Sequence, residues 1–383
     1  MVRDLRVAHI VRDARGVAYS WTKTVRRPES DGRDHMTRYS SDALDFLADS
    51  NDGASVTRPV AHSAAARRLR LCARRVAVVR LAVATSTPLV EPVETADAET
   101  LPSVGVVVPT RDRPLLLRRA LASILAQDYP GAMRVVVVFD RSEPDWSLSA
   151  SGDRPVTVMP NWRSPGLAGC RNTGILAVGD CDLVAFCDDD DTWAPGKLTA
   201  QVTAMLSRSD AQFATCAIEV EYDGRRIPRL AERDRIEVAD LARSRMVMLH
   251  SSGFLAWHGA LITNPSRGGI GLVAEDAPGS QNEDWDLLLR AARQAPIVHV
   301  DLPLVRVLWG RASYFAHEYA TKVSSLRWMM ERHPEISARP PCAARVFGQI
   351  ACWEAACGNR ASAWRWARAA LRSWSMPLPR RRA

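Results

Sequence analysis

Asp182-Leu183-Val184-Ala185-Phe186-Cys187-Asp188-Asp189-Asp190-Asp191-Thr192-Trp193 decides how this chain of 383 residues is read. A short apolar run ends in four consecutive carboxylates, with Pro195 and Lys197-Leu198 close behind. Apolar runs of this length, bounded by a polar break, read as buried strands. The carboxylates then sit at the strand's carboxyl end, where open α/β sheets bind their ligands. Four like charges in a row repel one another, and no local residue neutralises them. A divalent cation would. Oxygen-rich sites suit magnesium or manganese, held by one or two carboxylates together with substrate phosphates. An isolated acidic run reads as a solvated loop. The strand before this one and the Trp-x-Pro-x-Lys-Leu after it favour a metal-diphosphate site.

Working outward, Val104-Gly105-Val106-Val107-Val108 is predicted as a buried strand, stopped by Pro109-Thr110. Pro114 suits the first turn of a helix, and Leu117, Leu121, Ile124 and Leu125 keep helical spacing. A second strand over 134–139 ends at Asp140, a third spans 156–159, and a helix over 166–178 carries Arg171 and Asn172. This alternation predicts an α/β fold with a parallel sheet and right-handed crossovers. Neither G-x-G-x-x-G nor G-x-x-x-x-G-K-[ST] stands in the right place, which weighs against a dinucleotide-dependent dehydrogenase and a P-loop enzyme. Farther on, strands are expected over 213–220, 254–263 and 297–300, and a loop over 270–280 long enough to cover a ligand. A helix starting near Glu283 would hold Glu283, Asp284 and Asp286 in its first turn, where the macrodipole favours their charged forms.

Five of these segments together resemble glycosyltransferase family 2. Val106-Val107-Val108-Pro109-Thr110-Arg111-Asp112-Arg113-Pro114 looks like that family's opening strand and turn. Phe139-Asp140-Arg141-Ser142 keeps one Asp of the family's Asp-Asp-Gly-Ser, and Gly166 to Gly174 resembles its small-residue helix with Arg-Asn. Asp188 to Leu198 is similar to its metal motif, and Glu283-Asp284 to its acceptor motif. The resemblance covers about 102–316. It implies a GT-A fold, Rossmann-like with a mostly parallel central sheet flanked by helices. It also implies an inverting, metal-dependent transfer from a nucleoside-diphosphate sugar to a hydroxyl of a glycan or lipid-linked acceptor. Carried over residue by residue, Asp284 is the general base and Glu283 orients it or the acceptor. Asp188 and Asp190 hold the ribose and an Mn2+ or Mg2+ ion, Asp190 being the better metal candidate, and Asp189 adjoins the donor. Asp140 reads the base, Pro109, Thr110 and Asp112 line the nucleotide pocket, and Arg171 lies near the diphosphate. Gly310 stands where many relatives have a histidine, and neither His299 nor His317 aligns there; Arg311 is the substitute considered for the diphosphate.

Charge divides the chain further. The whole carries +8; residues 101–310 hold 22 basic and 26 acidic side chains, and residues 311–383 hold 13 and 4. A slightly acidic centre argues against a nucleic-acid partner. Residues 1–100, rich in Arg, Asp and Ser, are expected to be a poorly ordered extension and linker, with a basic helix over 64–84. The glycosyltransferase domain would span 101–315, and 316–383 a basic helical segment ending in a hairpin. Its Trp364 and Trp366 are read as core contacts, with peripheral membrane contact as the alternative. Eight cysteines without a C-x-x-C pair predict reduced thiols. With no signal peptide or apolar run long enough to cross a bilayer, a cytoplasmic protein is expected, the inner membrane face being left open. Two rivals are a sugar nucleotidyltransferase, which would need a Gly-rich basic loop after the first strand, and a non-catalytic glycan- or membrane-binding relative.

Overall fold

The computed structural model describes residues 101–309, apart from 223, 245, 247 and 248, and residues 318–375; before residue 101 it describes only four two-residue strands in antiparallel pairs. The predicted extension apart from those strands, the basic helix over 64–84, Gly310, Arg311, His317 and the final arginines lie outside the described residues. Met1–Thr95 and Ala96–Ala383 form separate compact units. The second unit carries the large sheet and its flanking helices.

Its parallel core is β1 (Val104–Thr110), β2 (Met133–Phe139), β3 (Val156–Pro160) and β4 (Leu183–Phe186), in the order β4-β1-β2-β3. Helix α1 (Pro114–Leu125) follows β1, and α2 (Leu167–Ala177) follows β3. The strands are apolar on both sides because both faces are covered. Val106, Val108, Val135 and Val137 pack with Leu117 and Ile124 of α1 on one face. Their neighbours Val107, Val136 and Val138 pack with Ile175 of α2 on the other, as a two-residue repeat requires.

Beyond β4 the sheet becomes mixed. After β5 (Thr192–Trp193), α3 (Lys197–Leu206) and β6 (Phe213–Tyr222) come a short hairpin strand β7 (Arg225–Arg229), β8 (Arg235–Ile236) and α4 (Val238–Arg243). Strand β9 (Leu255–Trp257) runs antiparallel between β4 and β6, and α5 (His258–Ile262) follows it directly. The strand expected over 254–263 is therefore only three residues long. Its second half, Gly259-Ala260-Leu261-Ile262, is equally apolar but helical, and a short apolar run alone does not distinguish the two. Helix α6 (Glu283–Gln294) starts where expected, and β10 (Ile297–Leu308) extends well past the predicted 297–300, parallel to β6.

The tail is helical: α7 (Tyr319–Arg332), α8 (Pro334–Ala338), α9 (Pro340–Ala356) and α10 (Arg360–Ser375). Gly358, at φ +84°, makes the turn between α9 and α10, a left-handed conformation that suits glycine. Among the described residues no helix is long and apolar enough to cross a membrane.

Candidate active site

The acidic run leaves β4 at its carboxyl end, beside the carboxyl ends of β1 and β2. Helix α2 approaches this edge unusually closely. A Cβ on Gly174 would lie 2.2 Å from Val107 of β1, and one on Gly169 would lie 1.8 Å from the Ser164 carbonyl oxygen. The small residues of α2 thus let it lie on the sheet and carry Arg171 inward.

Arg171 is 3% exposed. One terminal nitrogen donates to Glu283 Oε1 at 2.6 Å; the other donates to Asp188 Oδ1 and to Ser251 Oγ, both at 2.8 Å. Two acidic clusters nearly a hundred residues apart in sequence thereby share one guanidinium. Burial opposes the charge of Arg171, but Asp188 and Glu283 outweigh it and raise its pKa. Asp284, next along α6, is near enough for its charge to act on both Arg171 and His250.

Each member of the acidic run has its own neighbours. Asp188 accepts from Ser251 Oγ at 2.9 Å; burial would raise its pKa, but the Arg171 and His250 charges hold it below the ordinary value. Asp189 accepts from Thr110 Oγ1 at 2.8 Å and from the Arg111 amide at 3.3 Å, so it ties the run to the end of β1. Asp190 meets Arg113 at 2.6 Å. Burial and the Asp191 and Asp188 charges nevertheless push Asp190 up to about 7. Asp191 accepts from Ser252 Oγ at 2.5 Å and lies 3.1 Å from His250 Nδ1. Burial opposes the charging of that imidazole, but Asp191 and Asp188 prevail, and it rises to about 9.

These carboxylates fit a divalent cation. One ligand atom each from Asp188, Asp191 and His250 lies within 4.8 Å of the others. Asp190 is raised by burial first and then by the Asp191 and Asp188 charges, which Arg113 offsets only in part. Asp190, the metal candidate read from sequence, sits beside this trio with its carboxylate on Arg113. His250 and the part played by Asp191 were not legible, because the histidine comes from a segment some sixty residues away with no periodicity of its own. The Trp-x-Pro-x-Lys motif is scaffolding for the same corner. Trp193 Nε1 donates to the Ser252 carbonyl at 2.9 Å. Fully buried Lys197 stands 3.9 Å over the Trp193 ring, lowered by burial to about 8.

At the ends of β2 and β3 an open cavity of about 430 Å³ is lined by Phe139, Asp140, Arg141, Asn161 and Arg163. Asp140 accepts from Asn161 Nδ2 at 3.2 Å and from the Gly166 amide before α2 at 3.0 Å. Burial would raise its pKa, but these donors and Arg141 hold it below the ordinary value. Pro109 is buried in β1 beside Val138. Asp112 is not drawn into the cluster: its side chain is 71% exposed, 3.7 Å from Arg111. The 270–280 loop is pinned to α2. Asn172 Nδ2 donates to the Val273 carbonyl at 2.8 Å and to Glu275 at 2.6 Å, and Glu275 also takes Arg163 and Ser164. Despite the opposing effect of burial, these donors pull Glu275 down to about 2.

The model of the glycosyltransferase-like family 2 matches residues 102–330, well over half of the chain. The chain belongs to that family. Over 126 residues this family 2 member is 30% identical to the GalNAc(5)-diNAcBac-PP-undecaprenol beta-1,3-glucosyltransferase of Campylobacter jejuni, covering 32% of this chain and 40% of the relative. Over 112 residues it is 37% identical to the succinoglycan biosynthesis protein ExoW of Rhizobium meliloti, covering 28% and 34%. The chain thus spans well under half the length of either relative. Among solved structures, TarS of S. aureus in complex with UDP-GlcNAc is similar at 15% identity and a TM-score of 0.49, over 71% of this chain and 91% of that one. The α/β architecture with a mostly parallel sheet agrees with the GT-A fold that the sequence resemblance implied.

Proposed function

We propose that this family 2 protein transfers a sugar from a nucleoside-diphosphate donor to a hydroxyl of a glycan or lipid-linked acceptor, with inversion and with a divalent cation. The observation that carries the reading is Arg171, whose guanidinium holds Asp188 of the donor side and Glu283 of the acceptor side in one buried contact. The named acceptor of the Campylobacter relative, a diphosphate-linked undecaprenol glycan, supports the lipid-linked alternative.

In this reading Asp140 and the cavity at the ends of β2 and β3 receive the nucleoside, and Pro109, Thr110 and Asp189 back the nucleotide. Asp188, Asp191 and His250, with Asp190 alongside, would hold magnesium or manganese. When bound, such an ion stabilises the negative charge of a departing diphosphate. Asp284 takes the proton from the acceptor oxygen. A positioned base of this kind is worth about 10²–10⁴-fold. The oxygen attacks the anomeric carbon opposite the leaving group, so the centre inverts and no covalent nucleophile is needed. Glu283, committed to Arg171, is placed to orient this end of α6 rather than to move protons. A non-catalytic relative of the same fold would have no use for two acidic clusters on one arginine.

The test is release of nucleoside diphosphate from a panel of donors, with and without manganese, in the wild type and in Asp284→Asn. Transfer is expected to fall about 10²–10⁴-fold in the variant while metal-dependent donor affinity stays within a few-fold. Loss of donor affinity would move Asp284 to the donor side. Donor binding without turnover in the wild type, across the panel, would overturn the enzymatic reading.

A further inference from the structure

Helix α10 has two unlike faces. On its inner side Ala363 and Ala370 are buried. Trp366 lies against Phe347 of α9, ring centroids 5.2 Å apart, with the Arg327 guanidinium 5.6 Å from its ring. This tryptophan is the core contact expected from the sequence. Trp364 is not. It is 57% exposed, as Leu371 is 53% exposed, and Arg365, Arg368 and Arg372 are exposed beside them. Positions 364, 365, 368, 371 and 372 recur at helical spacing and share one face.

Among the described residues no carboxylate pairs with Arg365, Arg368 or Arg372 of that face. The last acidic residue of the chain is Glu354, which pairs with Arg327 at 2.5 Å and accepts from Asn359 and Ser362. Residues 355–383 contain seven arginines and neither Asp nor Glu. An indole and a leucine flanked by guanidinium groups are complementary to an anionic lipid surface. Arginine heads meet lipid phosphates while the indole sits at headgroup level. A second copy of the same face would be repelled. A duplex nucleic acid would engage the arginines but leave the indole and leucine without apolar partners. We infer that the outer face of α10 docks the protein onto an anionic membrane surface. The helix lies in the plane of that surface: its 16 residues include four arginines, too short and too charged to span. This docking is independent of the proposed transfer, though it would concentrate the enzyme where a lipid-linked acceptor resides.

The experiment is sedimentation of the full chain with vesicles of phosphatidylcholine alone and of phosphatidylcholine mixed with phosphatidylglycerol, at rising salt. The wild type is expected on the anionic vesicles only, with binding that falls as salt screens the charges. Each arginine near such a surface contributes about five-fold to partitioning. The triple variant Arg365→Glu, Arg368→Glu, Arg372→Glu should therefore bind at least about 100-fold more weakly. Trp364→Ser should lose less and keep the wild-type salt dependence. If charge reversal lowers the melting temperature, the milder triple Arg→Gln variant must still lose binding. Equal binding to neutral and anionic vesicles, wild-type binding by both triple variants, or binding to duplex DNA without binding to vesicles would each overturn the inference. Donor turnover in solution should be unchanged in all these variants, so failure of docking and failure of the transferase reading remain separable.

Discussion

Two acidic clusters that look alike in the sequence are opposites in the folded protein. At the end of β4, Asp188, Asp189, Asp190 and Asp191 face Arg113, Arg171 and His250, and the balance leaves Asp190 raised to about 7. At the start of α6, Asp286 is fully buried and saturated with partners. Arg290 reaches one oxygen at 2.8 Å, and Arg332 and His333 reach the other at 2.7 and 2.8 Å. Burial opposes its ionisation, but these donors prevail and pull it down to about 2. The first cluster sets three basic groups against four carboxylates, whereas Asp286 alone has three. Among the described residues, it is the first that gathers three potential ligand atoms, from Asp188, Asp191 and His250. The difference is not in the count of carboxylates but in what the rest of the chain brings to them.

Arg171 is the residue common to both clusters, and removing it should have the largest effect. Arg171→Met leaves Asp188 and Glu283 without their shared partner. Breaking a buried ion pair from one side costs about 3–5 kcal/mol, read as a fall in melting temperature on the order of 10 °C. Manganese should recover part of the loss, because it compensates Asp188 but cannot reach the Glu283 side. A melting temperature like the wild type's would show that the two clusters do not depend on one another.

Asp286→Asn tests the saturated side alone. It keeps the shape and removes the charge that holds Arg290 and Arg332. The depressed pKa fixes the sign of the pH effect. Stability from ionised Asp286 is present above the unfolded value near 3.8 and is lost as pH falls towards about 2. The contribution is about 2 kcal/mol. Thermal melts should therefore show a shallower acid slope between these values in the variant, with a lower plateau at neutral pH. A slope parallel to the wild type's would mean that Asp286 is not the group that titrates. Metal-dependent donor affinity should be unaffected, since Asp286 faces the C-terminal helices and not Arg171.

How much of this contrast could be read beforehand depends on how local each feature is. The strand–carboxylate junction at Asp188 and the helix start at Glu283 are signalled within a dozen residues by hydrophobic period and by a polar break, and both are found where expected. The contact between them is not local. It depends on Gly174 letting α2 settle onto β1 and on Gly169 making room for the Ser164 carbonyl, which a sequence of small residues suggests but does not orient. His250 and Ser252 carry no periodic signal, and they reach Asp191 from a segment that Trp193 holds at the Ser252 carbonyl and Gln201 at the Gly253 carbonyl. Asp112 stood in the right motif but at φ +53° in an exposed turn. The saturation of Asp286 was invisible for the same reason as the His250 contact: Arg332 and His333 stand at the junction of α7 and α8, forty-odd residues farther on.

The smallest expected effect concerns how the C-terminal helices hold the start of α6. Asn282, immediately before Glu283, is left-handed at φ +63°. Its side-chain amide donates to Ser325 Oγ of α7 at 2.7 Å, and Ser325 donates in turn to the Gln281 carbonyl at 2.5 Å. Ser325 is fully buried, so Ser325→Ala leaves an amide and a carbonyl without a partner. The cost should be about 1–2 kcal/mol. If this clasp fixes the direction of Asp284, turnover should drop more than donor affinity, because the donor side is held by other elements. Asn282→Gly separates the two contributions. Glycine accepts the left-handed backbone freely but cannot make the hydrogen bond, so it should match Ser325→Ala in turnover if the bond matters. It should match the wild type if only the backbone conformation does. Equal losses in turnover and donor affinity in both variants would reduce the clasp to a general contribution to stability. The acceptor-side cluster would then owe its position to Arg171 and the Asp286 network alone.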